Sequence, residues 1–191
     1  MKQNLKEVLG NYQKRKNIDA GLTPSAVLLP IYYKEEQIYI LFTQRSNLVL
    51  HHKGQICFPG GNYEHSDTSL LQTALRETEE EIGLKAEDVE ILGELDDINT
   101  TSSGYAISPF IALIPHPYQF KINPQEITRM FSVPLSKLMD NTTLKYGYTG
   151  HEDQQHASFY YEYGEHIIWG VTARILCQFL GLLKPESGAY I

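Results

Sequence analysis

Three glutamates near the end of a predicted helix are the residues of this chain best suited to chemistry. They lie in the stretch RETEEEIGL, residues 76–84, which places four glutamates in five positions. Glu77, Glu80 and Glu81 follow the i, i+3, i+4 spacing of one helix face, whereas Glu79 points elsewhere and is expected to be solvated. Carboxylates repel one another there, and the negative end of the helix dipole also disfavours them. A positive group is therefore needed to compensate their charge.

A divalent cation is the compensating group that this pattern favours. Hard cations such as Mg²⁺ and Mn²⁺ take oxygen ligands, and Mg²⁺ commonly binds substrate phosphates as well. Most charge runs are simply acidic solvated faces, but these three acids converge and do not alternate with lysines. Arg76 lies one helical row from Glu80, so its guanidinium can hydrogen-bond a neighbouring carboxylate and hold its rotamer. The glutamates thus predict a Mg²⁺ or Mn²⁺ site that can also hold an anionic substrate.

The helix that carries these glutamates has recognisable ends and an apolar face. Ser66 or Asp67 is expected as its N-cap, and Gly83 is a natural C-terminal stop. At about 100° per residue, one face gathers side chains that must pack on a sheet. These side chains are Leu71, Leu75, Thr78 and Ile82.

Strand patterns on both sides of this helix predict a sheet. Runs rich in β-branched and aromatic residues, separated by turn residues, are typical of strands. Such runs cover residues 25–33, 37–45, 55–61, 89–97 and 105–115, and residues 158–170 read as a hairpin that turns at Gly164. Apolar side chains at helical spacing predict further helices over residues 2–16 and 170–183. Strands interleaved with few helices predict an α/β (α+β) fold, in which a mixed sheet packs between helices.

The composition is that of one globular domain and excludes several classes of protein. The chain has 191 residues and a net charge of −7 at pH 7, which argues against a nucleic-acid partner. It has no apolar run long enough to span a membrane and no signal peptide, so we expect no membrane partner and a cytoplasmic location. Cys57 and Cys177 provide neither a disulfide framework nor metal-ligand spacing.

The first 20 residues are expected to form a helical appendage, residues 1–20, on a single domain over residues 21–191. Leu5, Val8 and Leu9 recur at helical spacing in this appendage. The helix is therefore expected to dock on the domain. The alternatives for so short an apolar stripe are a membrane-surface contact or a dimer contact, and a homodimer is accordingly a possible assembly.

The stretch GNYEHSDTSLLQTALRETEEEIGL, from Gly61 to Leu84, resembles the Nudix box. That box reads glycine, five residues, glutamate, seven residues, and then Arg-Glu-hydrophobic-any-Glu-Glu-any-Gly-hydrophobic. The departures are Asp67 for the first glutamate, eight residues rather than seven before Arg76, and Thr78 in the hydrophobic slot. The second half matches through Arg76, Glu77, Glu80, Glu81, Gly83 and Leu84.

The stretch LFTQRSNLVLHHKGQICFPGG, residues 41–61, resembles the coenzyme A diphosphatase subgroup of the same family. The subgroup reads Leu-Leu-Thr-x-Arg-Ser, an arginine four residues after the serine, then His, Gly-Gln and Phe-Pro-Gly-Gly. Leu50 occupies the slot of that arginine, which bears on the exact substrate. The positions that fit are Thr43, Arg45, Ser46, His52, Gly54, Gln55, Phe58, Pro59, Gly60 and Gly61. The likeness continues over nearly the whole chain after about residue 22.

The resemblance implies a Nudix α/β/α sandwich that hydrolyses a nucleoside diphosphate linked to another moiety, with Mg²⁺ or Mn²⁺. For the subgroup, coenzyme A or its thioesters would give a phosphopantetheine product and adenosine 3′,5′-bisphosphate. Breaking a P–O–P bond needs a positioned water, a neutralised diphosphate and a stabilised leaving phosphate, which metals on the glutamates can provide. We accordingly assign metal binding to Glu77, Glu80, Glu81 and Gly61, and catalysis to Glu80, Arg76 and Glu126.

Residues outside the helix are candidates for the same site. Glu126, just before a strand-like segment, suits the extra carboxylate that Nudix proteins often recruit, although a solvated loop glutamate is the simpler interpretation. Arg45 ends a strand and can bind phosphate or form a surface ion pair. The remaining substrate-binding candidates are His52, Gln55 and Gly60, where the glycine lets backbone approach a ligand or simply makes a tight turn.

Some polar and aromatic residues have a structural interpretation that is simpler than a functional one. Tyr160, Tyr161, Tyr163 and Trp169 can stack on adenine, but packing in the core or hairpin is the simpler explanation. Asp96 and Asp97 are expected to be turn residues.

Two rival functions stay open beside the coenzyme A diphosphatase. One is a Nudix hydrolase for another diphosphate, such as ADP-ribose, a dinucleotide or an oxidised nucleotide, and Leu50 keeps this alternative open. The other is a non-catalytic Nudix-like binding or regulatory module. Such modules usually lose carboxylates of the box, whereas Glu77, Glu80 and Glu81 are all retained here.

Overall fold

The computed structural model describes residues 2–15, 21–50, 52–100, 103–149 and 156–184. Its frame is an eight-stranded mixed sheet in which β1 and β7 run parallel and form the centre. The other strand pairs of this sheet are antiparallel. The strands are β1 (Thr23–Lys34), β2 (Gln37–Arg45), β3 (Ile56–Cys57), β4 (Gly60–Asn62), β5 (Glu90–Glu94), β6 (Ile98–Asn99), β7 (Tyr105–Leu113) and β8 (Ile127–Pro134).

Helices cover the sheet and a smaller antiparallel sheet follows β8. The helices are α1 (Lys2–Asn11), α2 (Leu70–Ile82), α3 (Leu135–Leu138) and α4 (Gly170–Leu183), with a 3₁₀ turn at Ala86–Asp88. The small sheet consists of β9 (Leu144–Thr149), β10 (His156–Tyr163) and β11 (His166–Ile168). The hairpin predicted around Gly164 is confirmed, and this glycine has φ of +59°. Within the described ranges, no helix is long and apolar enough to cross a membrane.

The central strand β1 is buried on both faces, which explains its nearly continuous apolar run. Leu29 and Ile31 belong to the core that contains α1 and α4. Ala26 and Leu28, on the opposite face, belong to the core that contains α2. Because successive side chains of a strand point to opposite faces, β1 contributes alternate residues to the two cores. The predicted α/β fold, with a mixed sheet packed between helices, is confirmed.

The predicted inner face of α2 is only partly correct. Thr78 and Ile82 are fully buried, as predicted. Leu71 and Leu75 are only partly buried at the edge of the core, whereas Ala74 is fully buried. The contact with the sheet is centred on small side chains, so the helix can lie close to the strands beneath it.

The predicted end of α2 is confirmed, but the predicted start is wrong. Gly83 is the C-cap with φ of +69°, and its N–H donates to Glu79 O at 2.8 Å. The N-cap is Ser69, whose extended backbone places its hydroxyl 3.2 Å from the N–H of Gln72. Neither Ser66 nor Asp67, the two expected caps, has this role, and an arginine of the helix holds the Asp67 carboxylate, as described below.

Helix α1 docks on the sheet as predicted but ends earlier than the predicted helix over residues 2–16. Leu5 and Leu9 are buried, and Leu9 packs against Gly93 of β5. Residues 16–20 of the predicted appendage, including Lys16, lie outside the described residues, as do residues 185–191 of the predicted domain.

The segment after α1 contacts two aspartates in the connection between β5 and β6. The hydroxyl of Tyr12 donates to Asp96 at 2.7 Å, and the ammonium of Lys14 lies 2.6 Å from the Asp97 carboxylate. Asp97 is buried and also accepts from the Ser108 hydroxyl at 2.5 Å. The expectation that these aspartates are turn residues alone is therefore wrong, because they anchor the N-terminal segment to the sheet.

Two strands predicted as continuous are each divided, and one strand was not predicted. The run over residues 55–61 splits into β3 and β4, and the run over residues 89–97 splits into β5 and β6. Pro59 lies in the first break, where its carbonyl accepts from the N–H of Leu28 at 2.8 Å. The unpredicted strand is β9, whose sequence LKYGYT alternates Leu144, Tyr146 and Tyr148 with Lys145, Gly147 and Thr149, so a strand signal was present in the sequence.

Candidate active site

Glu77 of α2 lies directly against strand β4. A Cβ built on Gly61 would stand 2.4 Å from the carboxyl carbon of Glu77, so only glycine leaves room for this carboxylate. Gly61 is held in place because β4 pairs with β1, with Ala26 opposite it. Burial raises the pKa of Glu77, and the negative charges of Glu80 and Glu126 raise it further, against the lowering effect of Arg76.

Glu81 turns from the same helix toward the sheet and is only 2% exposed. The N–H of Gly60 donates to its Oε2 at 3.3 Å, and the guanidinium of Arg45 lies 3.8 Å from its Oε1. These contacts do not offset desolvation, since burial raises the pKa of Glu81 to about 8. The site therefore holds a buried carboxylate whose charged form lacks full compensation.

Arg76 organises the outer side of the site through a buried aspartate. Its Nε and Nη2 donate to the two carboxylate oxygens of Asp67 at 3.0 and 3.1 Å, and the Thr73 hydroxyl donates to Asp67 at 2.8 Å. The hydrogen bonds from Arg76 lower the pKa of Asp67 well below its usual range. Once the guanidinium is fixed in this way, its Nη1 lies 3.0 Å from Glu77 and 3.3 Å from Glu80.

Glu80 is the most exposed of the three glutamates assigned to metal binding. Its side chain is 52% exposed, and its contact with Arg76 is an i, i+4 pair on the surface of α2. The three glutamates, predicted to share one helix face, therefore have different surroundings. Glu81 turns to the sheet, Glu77 lies beside β4, and Glu80 points toward solvent. Glu79 is exposed, as predicted.

Glu126 is brought to the site by the segment that precedes β8. Its carbonyl accepts from the N–H of Ser46 at 2.7 Å, just beyond Arg45, and its Oε1 accepts from Nδ2 of Asn123 at 3.2 Å. The side chain is half-buried, and its charge contributes to the raised pKa of both Glu77 and Glu81. Glu126 is therefore half-buried within electrostatic range of the helix glutamates rather than fully solvated.

The predicted substrate-binding residues form two groups. Arg45 and Gly60 lie beside Glu81, and the N–H of Gly60 is already used by that carboxylate. His52 and Gln55 lie in the loop between β2 and β3, where His52 Nδ1 is 3.1 Å from Gln55 Oε1. This loop stays next to the first group because the N–H of Arg45 donates to the carbonyl of Gln55 at 3.0 Å.

The aromatic residues considered for adenine stacking serve packing in part. Tyr161 is buried in the main core, and Tyr163 packs against the same core. The ring of Tyr160 lies over Gly147 of the neighbouring strand, and Trp169 is the N-cap residue of α4.

The donors at the site suit a hard divalent cation, although they are not yet arranged around one. Across the described part of the chain, no three His, Cys, Asp or Glu side chains are positioned to hold a metal ion as they stand. Arg76 pairs with Glu77 and Glu80, while Glu81 turns to Gly60 and Arg45. All of the donors are carboxylate oxygens, which Mg²⁺ and Mn²⁺ prefer. Burial first, and the neighbouring carboxylates second, raise the pKa of Glu77 and of Glu81.

Comparison with known proteins gives consistent matches to one family. A NUDIX domain model matches residues 22–153. The protein of Photorhabdus laumondii named "Uncharacterized Nudix hydrolase NudL" is 40% identical over 154 residues, which cover 81% of this chain and 81% of that protein. The protein of the same name from Yersinia pestis is 36% identical over 152 residues, or 80% of this chain and 75% of that protein.

Solved structures with a similar fold are more distant in sequence. A MutT/nudix family protein from Enterococcus faecalis superposes with a TM-score of 0.60 at 16% identity, over 90% of this chain and 65% of that one. The binary complex of the C. elegans Ap4A hydrolase gives a TM-score of 0.51 at 18% identity, over 60% of this chain and 82% of that one. At these identities the similarity concerns the fold alone.

Proposed function

The chain belongs to the Nudix hydrolase family, and from this premise we propose that it hydrolyses the diphosphate of coenzyme A or of its thioesters with the help of Mg²⁺ or Mn²⁺. Nudix hydrolases act on diphosphate-linked small molecules and generally use divalent metal ions. Addition of water across the diphosphate bond would release adenosine 3′,5′-bisphosphate and a phosphopantetheine product.

The observation that carries this proposal is the convergence of carboxylates from two segments of the chain. Glu77 and Glu81 come from α2, Glu126 comes from the segment before β8, and the charge of Glu126 acts on both helix glutamates. Such a concentration of negative charge is unfavourable without a cation. It is the arrangement expected of a site that meets its substrate's phosphates through metal ions.

The residues that would hold the cation are Glu77, Glu80 and Glu81, with the backbone of Gly61 close by. When bound, the cation would neutralise the diphosphate and stabilise the leaving phosphate. Arg76 would keep the Glu77 and Glu80 carboxylates in place, since Asp67 fixes its guanidinium. Arg45, whose guanidinium is 3.8 Å from Glu81, is the basic side chain best placed to contact a phosphate.

Glu126 is our candidate for the group that removes the proton from the attacking water. Glu80 is the alternative, but it faces solvent and pairs with the cationic Arg76 at 3.3 Å. Glu126 is half-buried and accepts its hydrogen bond from a neutral amide, that of Asn123. The bond to Glu126 comes from a neutral amide, whereas a guanidinium engages both oxygens of Glu80, and this difference in partners favours Glu126 for the role.

The second candidate is hydrolysis of another diphosphate, such as ADP-ribose, a dinucleotide or an oxidised nucleotide. The loop between β2 and β3 presents Leu48 at 68% and Leu50 at 87% exposure. Leu50 stands where the coenzyme A subgroup carries an arginine, so this loop offers an apolar side chain in place of a phosphate contact. A substrate without a 3′-phosphate would lose nothing by this change.

A substrate panel separates these candidates. Purified protein would be incubated with Mg²⁺ or Mn²⁺ and with coenzyme A, an acyl-coenzyme A, dephospho-coenzyme A, ADP-ribose, a diadenosine polyphosphate and an oxidised nucleotide, and products would be identified by mass spectrometry. We expect the highest kcat/KM for coenzyme A or its thioester, with release of adenosine 3′,5′-bisphosphate. A higher value for ADP-ribose or a dinucleotide would select the second candidate. No hydrolysis of any compound would favour a non-catalytic binding module.

A further inference from the structure

Asn123 connects the two segments that supply the carboxylates of the site. Its backbone N–H donates to the carbonyl of Glu81 at 2.8 Å, and its Nδ2 donates to Glu126 Oε1 at 3.2 Å. Its Oδ1 accepts from the N–H of Gln125 at 3.1 Å. Since that bond requires the oxygen of the amide, the NH₂ group must be the side that faces Glu126.

The backbone contacts of this segment do not depend on the Asn123 side chain. The N–H groups of Lys121 and Asn123 donate to the carbonyls of Ile82 and Glu81, at 2.9 and 2.8 Å. They satisfy two of the carbonyls that the end of α2 leaves without intrahelical partners. Substitution of the side chain therefore leaves the segment attached to the helix and changes only its bonds to Glu126 and Gln125.

A bond to Glu126 is needed because the charges around this carboxylate oppose its position. Glu126 has three side-chain torsions and, in the metal-free protein, lies within electrostatic range of Glu77 and Glu81, whose ionised forms repel it. Without a hydrogen-bond donor that holds it near α2, the Glu126 carboxylate would lower this repulsion by turning toward solvent. The amide of Asn123 supplies that donor without adding a charge to the site.

We propose that Asn123 is a positioning residue for the hydrolysis, whose side-chain amide holds the Glu126 carboxylate toward the glutamates of α2. This inference rests on the proposed function, because it assumes that Glu126 takes a proton from the attacking water. Asn123 does not itself touch the reacting atoms. Its effect passes entirely through Glu126.

Two substitutions separate the bond to Glu126 from the bond to Gln125. Asn123→Asp keeps the oxygen that accepts from the Gln125 N–H, but it replaces the donor to Glu126 with a second negative charge. Asn123→Ala removes both bonds. We expect kcat of Asn123→Asp to fall about 10- to 100-fold, with KM and the melting temperature close to wild type. Gln125→Ala, at an exposed neighbouring side chain, is the matched control and should retain wild-type kcat.

A double-mutant cycle tests whether the effect passes through Glu126. Asn123→Asp is introduced into wild type and into Glu126→Gln, and kcat and KM are measured for all four proteins on the best substrate of the panel. We expect Glu126→Gln to lose most of its kcat and Asn123→Asp to cause no further loss in that background. A purely structural role for Asn123 would lower kcat equally in both backgrounds.

The outcomes distinguish a failure of this inference from a failure of the proposed function. If wild type hydrolyses a diphosphate while Asn123→Asp keeps its kcat, the inference is overturned and the proposed function stands. The same holds if Glu126→Gln keeps its kcat, or if Asn123→Asp lowers kcat equally in both backgrounds. A wild type that hydrolyses no diphosphate overturns the proposed function and this inference with it.

Discussion

The carboxylate of Glu77 occupies the space in which a side chain at Gly61 would lie. A Cβ at position 61 would stand 2.4 Å from both Cδ and Oε2 of Glu77, which are atoms at the end of a flexible side chain. The adjacent Gly60 differs, because its Cβ would meet the backbone carbonyl of Ala26 at 2.2 Å and its φ is +148°. Gly61 therefore leaves space for the carboxylate of Glu77, whereas Gly60 allows two backbone segments to approach each other closely.

Gly61→Ala should remove activity while leaving the protein folded. The new methyl group must displace the Glu77 carboxylate, which can swing away at little cost in stability, but Glu77 then leaves the site. We expect kcat/KM to fall about 100-fold and the Mg²⁺ concentration for half-maximal activity to rise. The measurement is a Mg²⁺ titration of the hydrolysis rate, together with a thermal melt.

Two other glycines provide the controls for Gly61→Ala. Gly181 lies in α4 with nothing within 4 Å of its Cβ position, so Gly181→Ala should keep full activity and gain slightly in stability. Gly60→Ala should instead unfold or strongly destabilise the protein, since backbone has to move. Normal activity in Gly61→Ala would contradict the role given to Glu77.

Glu77→Gln and Glu81→Gln should each lower turnover by orders of magnitude without loss of stability in metal-free buffer. The amides are nearly isosteric, but they bind divalent cations poorly. Each amide also removes the cost of burying an ionisable carboxyl in this desolvated site, so the metal-free protein should be as stable as wild type or more so. Turnover and the urea midpoint in a chelator are the measurements. Near-normal turnover in both variants would refute the metal assignment.

The stability of the metal-free protein should fall as the pH rises from about 4.5 to 8. Glu81 has a pKa of about 8 in the folded chain, against 4.5 for an ordinary glutamate. Below pH 4.5 both states hold the proton, whereas between the two values the unfolded chain releases it and the folded chain does not. The loss amounts to no more than about 5 kcal/mol and is complete above pH 8. Urea unfolding with a chelator, from pH 5 to 8.5, measures it.

Glu81→Gln and Mg²⁺ are the two controls for this pH dependence. The amide does not titrate, so the unfolding free energy of the variant should depend much less on pH between pH 5 and 8. Mg²⁺ binds the deprotonated site, so it should stabilise wild type more at pH 8 than at pH 5. A wild type whose metal-free stability stays constant across the window would contradict the burial of a titrating Glu81.

Asp67→Asn should destabilise the fold and lower activity together. Asp67 is buried, and the amide leaves the Arg76 guanidinium without its bidentate carboxylate, at a cost of about 3 kcal/mol. Because the pKa of Asp67 is lowered in the folded chain, ionised Asp67 contributes to stability above about pH 4, and this contribution is lost as the pH falls further. The unfolding free energy of the variant should therefore fall less steeply than that of wild type in acid. Glu87→Gln, which breaks only an exposed pair with Lys85, is the control and should change stability by less than about 0.5 kcal/mol. Equal stability of the two variants would contradict the role of Asp67.

The sequence was sufficient to predict the helix that carries the glutamates, because its signals are local. The spacing of Glu77, Glu80 and Glu81 and the stop at Gly83 depend only on helical geometry. The start of the helix was not predictable in the same way. Ser66, Asp67 and Ser69 are all good caps by residue type, and the pairing of Asp67 with Arg76, which engages the Asp67 carboxylate, is not visible in the sequence.

The residues that sequence reasoning missed act through contacts distant in the chain. Asp97 binds Lys14 across more than eighty positions, and neither residue carries a local signal of that pairing. Asn123 resembles an ordinary turn residue in NPQE, and only the folded chain brings it to the carbonyl of Glu81. The proximity of Glu126 to the site was suggested by a family resemblance, whereas its half-burial required the structure.

Leu50→Arg should increase the preference for coenzyme A over dephospho-coenzyme A. The two substrates differ by the 3′-phosphate, which an arginine grips by a charge-assisted and often bidentate contact that leucine cannot make. Leu50 is 87% exposed, so the substitution should not disturb the fold. We expect wild type to cleave coenzyme A with only a modest preference, and the variant to gain about 1.5–3 kcal/mol of discrimination if the contact is well formed. The measurement is kcat/KM for both substrates in both proteins.

Leu48→Arg is the matched control, because it adds the same charge to the same loop at another exposed position. A general attraction between a more basic loop and a more anionic substrate would appear in both variants and would weaken with added salt. A specific contact would appear only in Leu50→Arg. If wild type already discriminates strongly and Leu50→Arg changes nothing, another basic residue reads the phosphate, and Arg45 beside Glu81 is then the first to test.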